Sequence, residues 1–172
     1  MKSVHCVGRL AWPLLSAVAF VLVVLAASCA RGRRSEDPAA YVPNAWPTNG
    51  RVCPIISGFG YRRDPIEGDR RFHKGLDIGA PKKSPVVATA HGVVTFADRN
   101  HGGYGKLVII NHGNGYETLY AHLSRIHTKA GKRVKRGDVI GTVGETGRAT
   151  APHLHYEVHC QGRCIDPRLV LP

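Results

Sequence analysis

Lys106-Leu-Val-Ile-Ile-Asn111, His112-Gly-Asn-Gly115 and Tyr116-Glu-Thr-Leu-Tyr-Ala121 are three consecutive stretches that decide the fold of this chain. The first is a run of aliphatic, largely β-branched residues, and the second combines the residue types of a tight turn. The third returns as a strand. Together the three stretches predict an antiparallel β-hairpin.

Further short strands flank this hairpin in the sequence. Turn residues such as His91-Gly92 separate them, and glycine (20) and proline (11) are plentiful among the 172 residues. From residue 51 onward no stretch has a sustained helical pattern. The sequence therefore predicts a mainly β fold, a compact antiparallel sheet or barrel-like domain with long loops and little helix. The additional strands are Val86–Ala90, Val93–Ala97, Val139–Val143 and Leu154–Val158.

An apolar segment with a basic start opens the chain. Lys2 and Arg9 precede Leu10–Ala27, in which nearly every residue is apolar, and this pattern is typical of an export signal. The segment ends in small residues followed by Cys29, which resembles a bacterial lipobox and predicts lipidation of that cysteine. Two alternatives remain open. The segment is nearly long enough to be an uncleaved membrane anchor, and conventional cleavage after Ala30 would release the chain.

Three segments follow from this organisation. Residues 1–28 are predicted to be a lipoprotein-type signal sequence or a membrane anchor. Residues 29–50 are rich in Arg, Pro, Ala and Asn and are predicted to be a tether. Residues 51–172 form the predicted folded domain, which we expect to be exported and held at the cell envelope, facing the periplasm or the cell exterior.

The formal net charge of +12 favours an anionic partner. Solubility is the alternative explanation of this charge. For an exported chain we expect a wall polymer and the bacterial membrane as partners, and no nucleic acid. The domain is expected to be a monomer.

Cysteine usage agrees with export. Cys160 and Cys164 bracket Gln161-Gly162-Arg163, a plausible tight turn between strands, and predict a disulfide across a hairpin in an oxidising compartment. Zinc binding by this pair is the alternative, although no second cysteine pair exists to complete a thiolate site. Cys53 is left over.

Two short motifs contain candidate metal ligands. In His153-Leu154-His155 the two histidines share one face of a strand, because residues two apart point the same way, and Leu154 faces the core. His73 and Asp77 are four residues apart, but Gly75 disfavours a helix and a loop that enters a strand is expected. Two imidazoles and one carboxylate can hold zinc and leave one coordination position open.

Several ordered motifs at compatible spacing accompany these two, and over roughly Pro54–Pro167 the chain resembles the M23 (LytM-type, lysostaphin-like) zinc metallopeptidases. The matching stretches are Ser57-Gly-Phe-Gly-Tyr-Arg-Arg-Asp-Pro65, Phe72-His-Lys-Gly-Leu-Asp-Ile-Gly-Ala-Pro81, Ala88-Thr-Ala-His-Gly-Val-Val94, Tyr120-Ala-His-Leu-Ser124, Val134-Lys-Arg-Gly-Asp-Val-Ile-Gly141 and Gly147-Arg-Ala-Thr-Ala-Pro-His-Leu-His-Tyr-Glu-Val158.

The resemblance implies a role for each residue of the set. His73, Asp77 and His155 correspond to the ligands of one zinc ion per chain, and His122 and His153 correspond to the catalytic histidines of the family. None of these five positions is missing.

The resemblance also suggests that Tyr61, Arg62 and Tyr120 border the substrate cleft, although a packing role for Tyr120 is an equal alternative.

The implied activity is a zinc-dependent endopeptidase that hydrolyses peptide bonds in peptidoglycan stems or cross-links. Zinc lowers the pKa of a bound water from 15.7 to about 7, so that hydroxide is available at neutral pH. The alternative is a non-catalytic, wall-binding lipoprotein that activates another cell-wall hydrolase.

Overall fold

The computed structural model describes residues 37–64, 67–99 and 101–172. The predicted signal segment, Cys29 and the first part of the tether lie outside the described residues. Within the described ranges no helix is long and apolar enough to cross a membrane.

The described residues form thirteen β-strands and three short 3-10 turns. The turns are Pro38–Tyr41, Gly102–Tyr104 and Pro167–Leu169. The strands are β1 (Ile55–Ser57), β2 (Gly60–Arg63), β3 (Arg70–His73), β4 (Leu76–Ile78), β5 (Pro85–Val87), β6 (Gly92–Asp98), β7 (Leu107–Asn111), β8 (Tyr116–Ala121), β9 (Arg125–Ile126), β10 (Arg133–Val134), β11 (Val139–Thr142), β12 (Leu154–Cys160) and β13 (Arg163–Ile165).

An eight-stranded antiparallel sheet dominates the fold. Its order is β1-β4-β12-β8-β7-β6-β10, and β13 pairs with β12. A three-stranded sheet has the order β5-β11-β9, and β2 and β3 form a separate hairpin. The central hairpin pairs β7 with β8 from Val108↔Tyr120 to Asn111↔Glu117. The predicted mainly β, antiparallel fold is therefore confirmed.

The main core lies between the two larger sheets. Leu76 and Tyr156 of the eight-stranded sheet pack in one buried cluster with Val86 and Ile140 of the three-stranded sheet. Along β12 every second side chain enters this core, because successive residues of a strand point to opposite faces. The polar residues of β12 consequently share the other face.

Tyr120 belongs to this core and not to the substrate cleft. It is fully buried, lies opposite Tyr156 in the register, and its hydroxyl accepts a hydrogen bond from the Thr89 amide at 3.0 Å. The suggested substrate contact of Tyr120 is therefore wrong. The alternation of β8 places its side chain on the core face, and the packing alternative holds.

The predicted disulfide is not formed. Cys160 and Cys164 are both free thiols, because the hairpin loop is a two-residue turn, Gln161-Gly162, with positive φ at both residues. Cys160 is then opposite Arg163, and Cys164 is opposite His159. The loop is one residue shorter than expected, so the two cysteines point to opposite faces of the sheet.

The compact unit begins at Asp37 and not at residue 51. The second part of the expected tether follows the surface of the domain: the Ala40 carbonyl accepts from the His91 amide at 2.8 Å and the Pro47 carbonyl accepts from the Val87 amide at 2.9 Å. Pro47 is buried. Residues 37–50 are therefore part of the domain, although their composition resembles that of a linker.

Candidate functional site

Strand pairing brings the candidate metal ligands together. In the register of β4 and β12, Asp77 lies directly opposite His155, so the two side chains share a face. His73 ends β3, and the chain turns at Gly75 before β4. A Cβ atom on Gly75 would lie 2.3 Å from the carbonyl oxygen of Tyr156, so only glycine permits this close return of the chain.

Three potential ligand atoms converge at this place. The distance from His73 Nε2 to Asp77 Oδ1 is 3.1 Å, from His155 Nδ1 to Asp77 Oδ1 2.8 Å, and from His73 Nε2 to His155 Nδ1 3.0 Å. All three residues are buried. Burial raises the pKa of Asp77, but hydrogen bonds from His155 and His73 outweigh this effect and hold the pKa well below its ordinary value.

The outer ring nitrogens of both histidines are already engaged. His73 Nδ1 lies 2.7 Å from the Gly58 carbonyl oxygen, and His155 Nε2 lies 2.9 Å from Glu157 Oε1. Both positions require N–H donors, so in the neutral imidazoles the inner nitrogens are acceptors. While both imidazoles are neutral, two nitrogens and one carboxylate oxygen thus converge with no donor among them, and a cation satisfies all three.

The raised pKa of His155 also indicates that a positive charge is favoured at this place. Burial lowers the pKa of His155, but its hydrogen bonds to Asp77 and Glu157 raise it to about 9. In the metal-free protein a proton on this ring therefore takes the place of a cation. The donor set of two imidazoles and one carboxylate fits Zn²⁺ and leaves a fourth position open.

Two more histidines lie beside this cluster. His122 follows β8, His153 precedes β12, and their ring centroids are 4.8 Å apart. The Nδ1 atom of His122 faces the Thr146 carbonyl and that of His153 faces the Ala151 carbonyl, each at 2.8 Å. In a neutral ring this leaves Nε2 as the acceptor, and His153 Nε2 lies 3.6 Å from Asp77 Oδ1.

Burial lowers the pKa of His122 to about 4, so this ring is neutral at pH 7. His122 also has a positive φ of 59°, which is uncommon for a residue with a side chain and typical of functional sites. The neighbouring backbone is tightly packed, since a Cβ atom on Gly144 would lie 2.3 Å from the Ser124 amide nitrogen.

All five predicted metal and catalytic residues line one cleft of about 510 Å³, together with Ile56, Ser57, Arg62, Arg63, Asp64, Gly103, Tyr104, Arg148, Thr150 and Ala151. Arg62, suggested as a substrate contact, belongs to this lining. Tyr61 does not, because the alternation of β2 turns it to the opposite face, where it is 69% exposed and packs against Phe72.

Glu157 and Tyr104 support the site and were not predicted from the sequence. Glu157 is almost fully buried, binds His155 through Oε1 and lies 2.7 Å from His159 Nε2 through Oε2. The Tyr104 hydroxyl donates to Glu157 Oε1 at 2.8 Å. The two-residue spacing from His155 placed Glu157 on the correct face, whereas Tyr104 comes from a distant loop without a local signal.

Comparison with known proteins agrees with this geometry. Residues 71–167 match Peptidase family M23. The DD-carboxypeptidase/endopeptidase Mpg of Neisseria meningitidis is 53% identical over 113 residues, which are 66% of this chain and 26% of that protein. The peptidoglycan DD-endopeptidase ShyA of Vibrio cholerae is 45% identical over 113 residues, 65% of this chain and 26% of that protein.

Among solved structures, a zinc-containing peptidase from Vibrio cholerae superposes with a TM-score of 0.67 at 38% identity, covering 73% of this chain and 39% of that one. The chain spans about a quarter of the length of the two curated relatives. Since the family match covers more than half of the 172 residues, the chain belongs to peptidase family M23.

Proposed function

We propose that this protein is a zinc-dependent endopeptidase that hydrolyses peptide bonds in peptidoglycan stems or cross-links. The observation that carries the proposal is the convergence of His73 Nε2, Asp77 Oδ1 and His155 Nδ1 in an open cleft beside two further imidazoles. The activities named for Mpg and ShyA support a peptidoglycan substrate.

In this proposal His73, Asp77 and His155 hold one zinc ion per chain. Zinc supplies Lewis acidity, which polarises a peptide carbonyl and makes hydroxide available near neutral pH. Asp77 offsets part of the metal charge with a hard oxygen ligand, as suits a hydrolytic site. Gly58 and Glu157 fix the orientation of the two ligand imidazoles through their outer nitrogens.

His122 and His153 handle protons in this scheme. Their Nδ1 atoms face backbone carbonyls, so in the neutral rings Nε2 is free to accept a proton, and both residues line the cleft. As a pair they accept the proton of the attacking water and return it to the leaving amine. Once protonated, an imidazolium also stabilises the negative charge that develops on the carbonyl oxygen.

The N-terminus completes the proposal. We propose that the chain is exported and that lipid on Cys29 holds the domain at the cell envelope, close to the wall. The basic start, the apolar segment and the small residues before Cys29 support this location. Mass spectrometry of the membrane fraction tests it: a diacylated Cys29 is expected, and an intact Met1 or a mature chain that starts after Ala30 contradicts it.

Zymography on purified sacculi tests the activity. The wild-type protein is expected to clear the wall, and both a chelator and His155→Ala are expected to abolish clearing. Clearing that survives both treatments contradicts the proposal. Zinc content distinguishes the proposed peptidase from the alternative, a non-catalytic activator. A protein that only binds wall and stimulates another hydrolase does not require stoichiometric metal.

A further inference from the structure

The described chain enters the domain at the end of the eight-stranded sheet that lies away from the cleft. The Ala40 carbonyl accepts from the His91 amide at 2.8 Å, just before β6. The Tyr41 carbonyl accepts from Asn114 Nδ2 at 3.1 Å, in the turn between β7 and β8. The cleft residue His122 follows the opposite end of β8. This strand alone separates the two ends by roughly 17 Å, because a strand rises about 3.4 Å per residue.

A basic loop, residues 129–136, lies at the same end as this entry. Within it, β10 pairs with the first two residues of β6. Arg136 joins the loop to the entering chain, because its Nη2 atom donates to the carbonyls of Ala39 and Val42. Its amide also donates to His91 Nδ1 at 2.9 Å. The basic side chains of the loop are Lys129, Lys132, Arg133, Lys135 and Arg136.

Carboxylates do not balance the charge of the basic loop. Among the described residues, none of its five basic side chains lies within ion-pair distance of a carboxylate. Asp138 is the one acidic residue in the stretch 127–139, and its carboxylate accepts from the Lys135 amide at 2.9 Å. The side chains of the loop that are exposed to solvent are Lys129, Lys132, Arg133 and Lys135.

We propose that the basic loop binds anionic phospholipid headgroups of the membrane that anchors the N-terminus, so that the cleft faces away from this membrane and towards the wall. The inference rests on the proposed envelope anchor and adds an orientation to the proposed peptidase. Basic side chains close to an anionic leaflet are attracted to it, and this attraction falls off within a Debye length.

The position of the loop favours a membrane over a wall polymer as its anionic partner. Cys29 precedes Asp37 by eight residues, and eight residues span at most about 29 Å when fully extended. A lipid on Cys29 therefore keeps the entry of the chain, and the loop beside it, close to the headgroups. The cleft lies at the other end of the sheet, where the wall is the accessible polymer.

Lysine footprinting of the full chain in vesicles tests this surface. The vesicles contain phosphatidylcholine alone or phosphatidylcholine mixed with phosphatidylglycerol, and mass spectrometry measures how fast each ε-amino group is acylated. The loop lysines are expected to react at least about 5-fold more slowly in the anionic vesicles. Equal reactivity in the two kinds of vesicle overturns the proposal. The loop lysines that report are Lys129, Lys132 and Lys135.

Lys82 and Lys83 are internal controls at the cleft end. The Lys83 amide donates to the Val143 carbonyl at 2.8 Å, and the next residue, Gly144, forms a β-bridge with His153. Both control lysines are expected to react at the same rate in the two kinds of vesicle. Protection of the control lysines equal to that of the loop lysines indicates adsorption without a preferred orientation and overturns the proposal.

Substitutions locate the surface, with Lys135 as the reporter. Lys129→Gln/Lys132→Gln is expected to lose the protection of Lys135, because two of the attracting charges are gone. Lys82→Gln/Lys83→Gln is the matched control, since it removes the same charge at the other end and is expected to keep Lys135 protected. Salt at 1 M, where the Debye length is about 3 Å, is also expected to abolish the protection. Unchanged protection of Lys135 in Lys129→Gln/Lys132→Gln overturns the proposal.

Purified sacculi, added to the full chain in detergent, test the wall as the other anionic partner. Protection of the loop lysines by sacculi and not by anionic vesicles overturns the proposal. Sacculus hydrolysis by the same protein reports on the peptidase separately, so protected lysines without hydrolysis contradict the peptidase function and leave the surface standing. A chain that does not float with the vesicles contradicts the proposed anchor, and the surface falls with it.

Discussion

Buried histidines lie at both ends of the eight-stranded sheet, in very different surroundings. At the end where β7 turns into β8, His112 is almost fully buried and contacts the His91 carbonyl at 2.7 Å and Thr118 Oγ1 at 2.9 Å. Burial lowers its pKa. At the cleft end, His155 is equally enclosed, but it lies between two carboxylates and its pKa is raised to about 9.

This contrast separates a structural histidine from a candidate ligand. Both ring nitrogens of His112 have partners, so the ring is satisfied as a neutral group. At the cleft end the inner nitrogens of His73 and His155 converge on Asp77 and on each other. Burial alone therefore does not indicate a metal site, whereas the convergence of three buried potential ligand atoms on one point does.

Replacing the buried histidine at each end of the sheet by alanine is expected to give the largest difference in zinc content and wall hydrolysis. His155→Ala removes a proposed zinc ligand, so bound zinc is lost and wall hydrolysis falls by more than the roughly 10²–10³-fold that loss of one transition-state donor costs. His112→Ala leaves buried partners unsatisfied and lowers the free energy of unfolding by about 1–3 kcal/mol, but keeps zinc. Metal analysis and denaturant unfolding measure the two effects, and loss of zinc from folded His112→Ala protein refutes the distinction.

Removal of a proton handler is expected to have the next largest effect. His122→Ala keeps all three proposed ligands, so zinc content stays at one per chain while kcat falls by roughly 10²–10⁴-fold. His127→Ala, in a loop outside the cleft lining, is the matched control and keeps full activity. A His122→Ala protein that retains wild-type kcat excludes the proton role of this residue.

Substitution of the residues that orient the proposed ligand His155 is expected to have a smaller effect, on zinc affinity. Glu157→Gln weakens the hydrogen bond that orients His155, so zinc affinity is expected to fall by roughly 10–100-fold. Tyr104→Phe removes only the hydroxyl that donates to Glu157 and is expected to have a weaker effect in the same direction. Competition with a chromogenic chelator measures both affinities, and an unchanged affinity of Glu157→Gln shows that the carboxylate serves only packing.

The pH dependence of stability is expected to differ in sign between the two ends. Because the pKa of folded His155 is raised to about 9, its contribution to the metal-free protein is complete below pH 6.5 and is lost as the pH rises towards 9, by at most about 1.4 kcal/mol per pH unit. The lowered pKa of His112 acts in the opposite sense, and its contribution is lost as the pH falls below 6.5.

In the proposed site zinc replaces the proton on His155, so the stabilisation that zinc confers is expected to grow between pH 6.5 and 9. Thermal unfolding with and without zinc measures this difference. A zinc-induced shift in Tm that stays constant over this range contradicts the exchange of the proton for the metal.

Local patterns in the sequence predicted much of this architecture. The aliphatic run Leu107–Asn111 and the turn after it sufficed for the central hairpin. The two-residue period around Leu154 placed His153 and His155 on one face. Only the family resemblance predicted that this strand lies next to His73, Asp77 and His122. Their convergence is set by pairings between strands that are distant in sequence.

The wrong predictions from the sequence concern places where a one-residue change in strand register, or a contact with a distant part of the chain, determines the structure. A three-residue turn between Cys160 and Cys164 would have aligned their side chains, but the chain uses two residues. Tyr120 lies two residues before the motif residue His122, yet its side chain is in the core. The positive φ of His122 interrupts the alternation after β8, so that only His122 lines the cleft. The linker-like composition of residues 37–50 did not reveal that carbonyls such as that of Ala40 bond to the domain.

The most direct test of the central claim is titration of the metal-free protein with zinc while the release of muropeptides from purified sacculi is followed. If His73, Asp77 and His155 form the catalytic metal site, hydrolysis is absent without metal and rises until one zinc per chain is bound. Hydrolysis by fully metal-free protein, or zinc binding at these residues without any hydrolysis, contradicts the account.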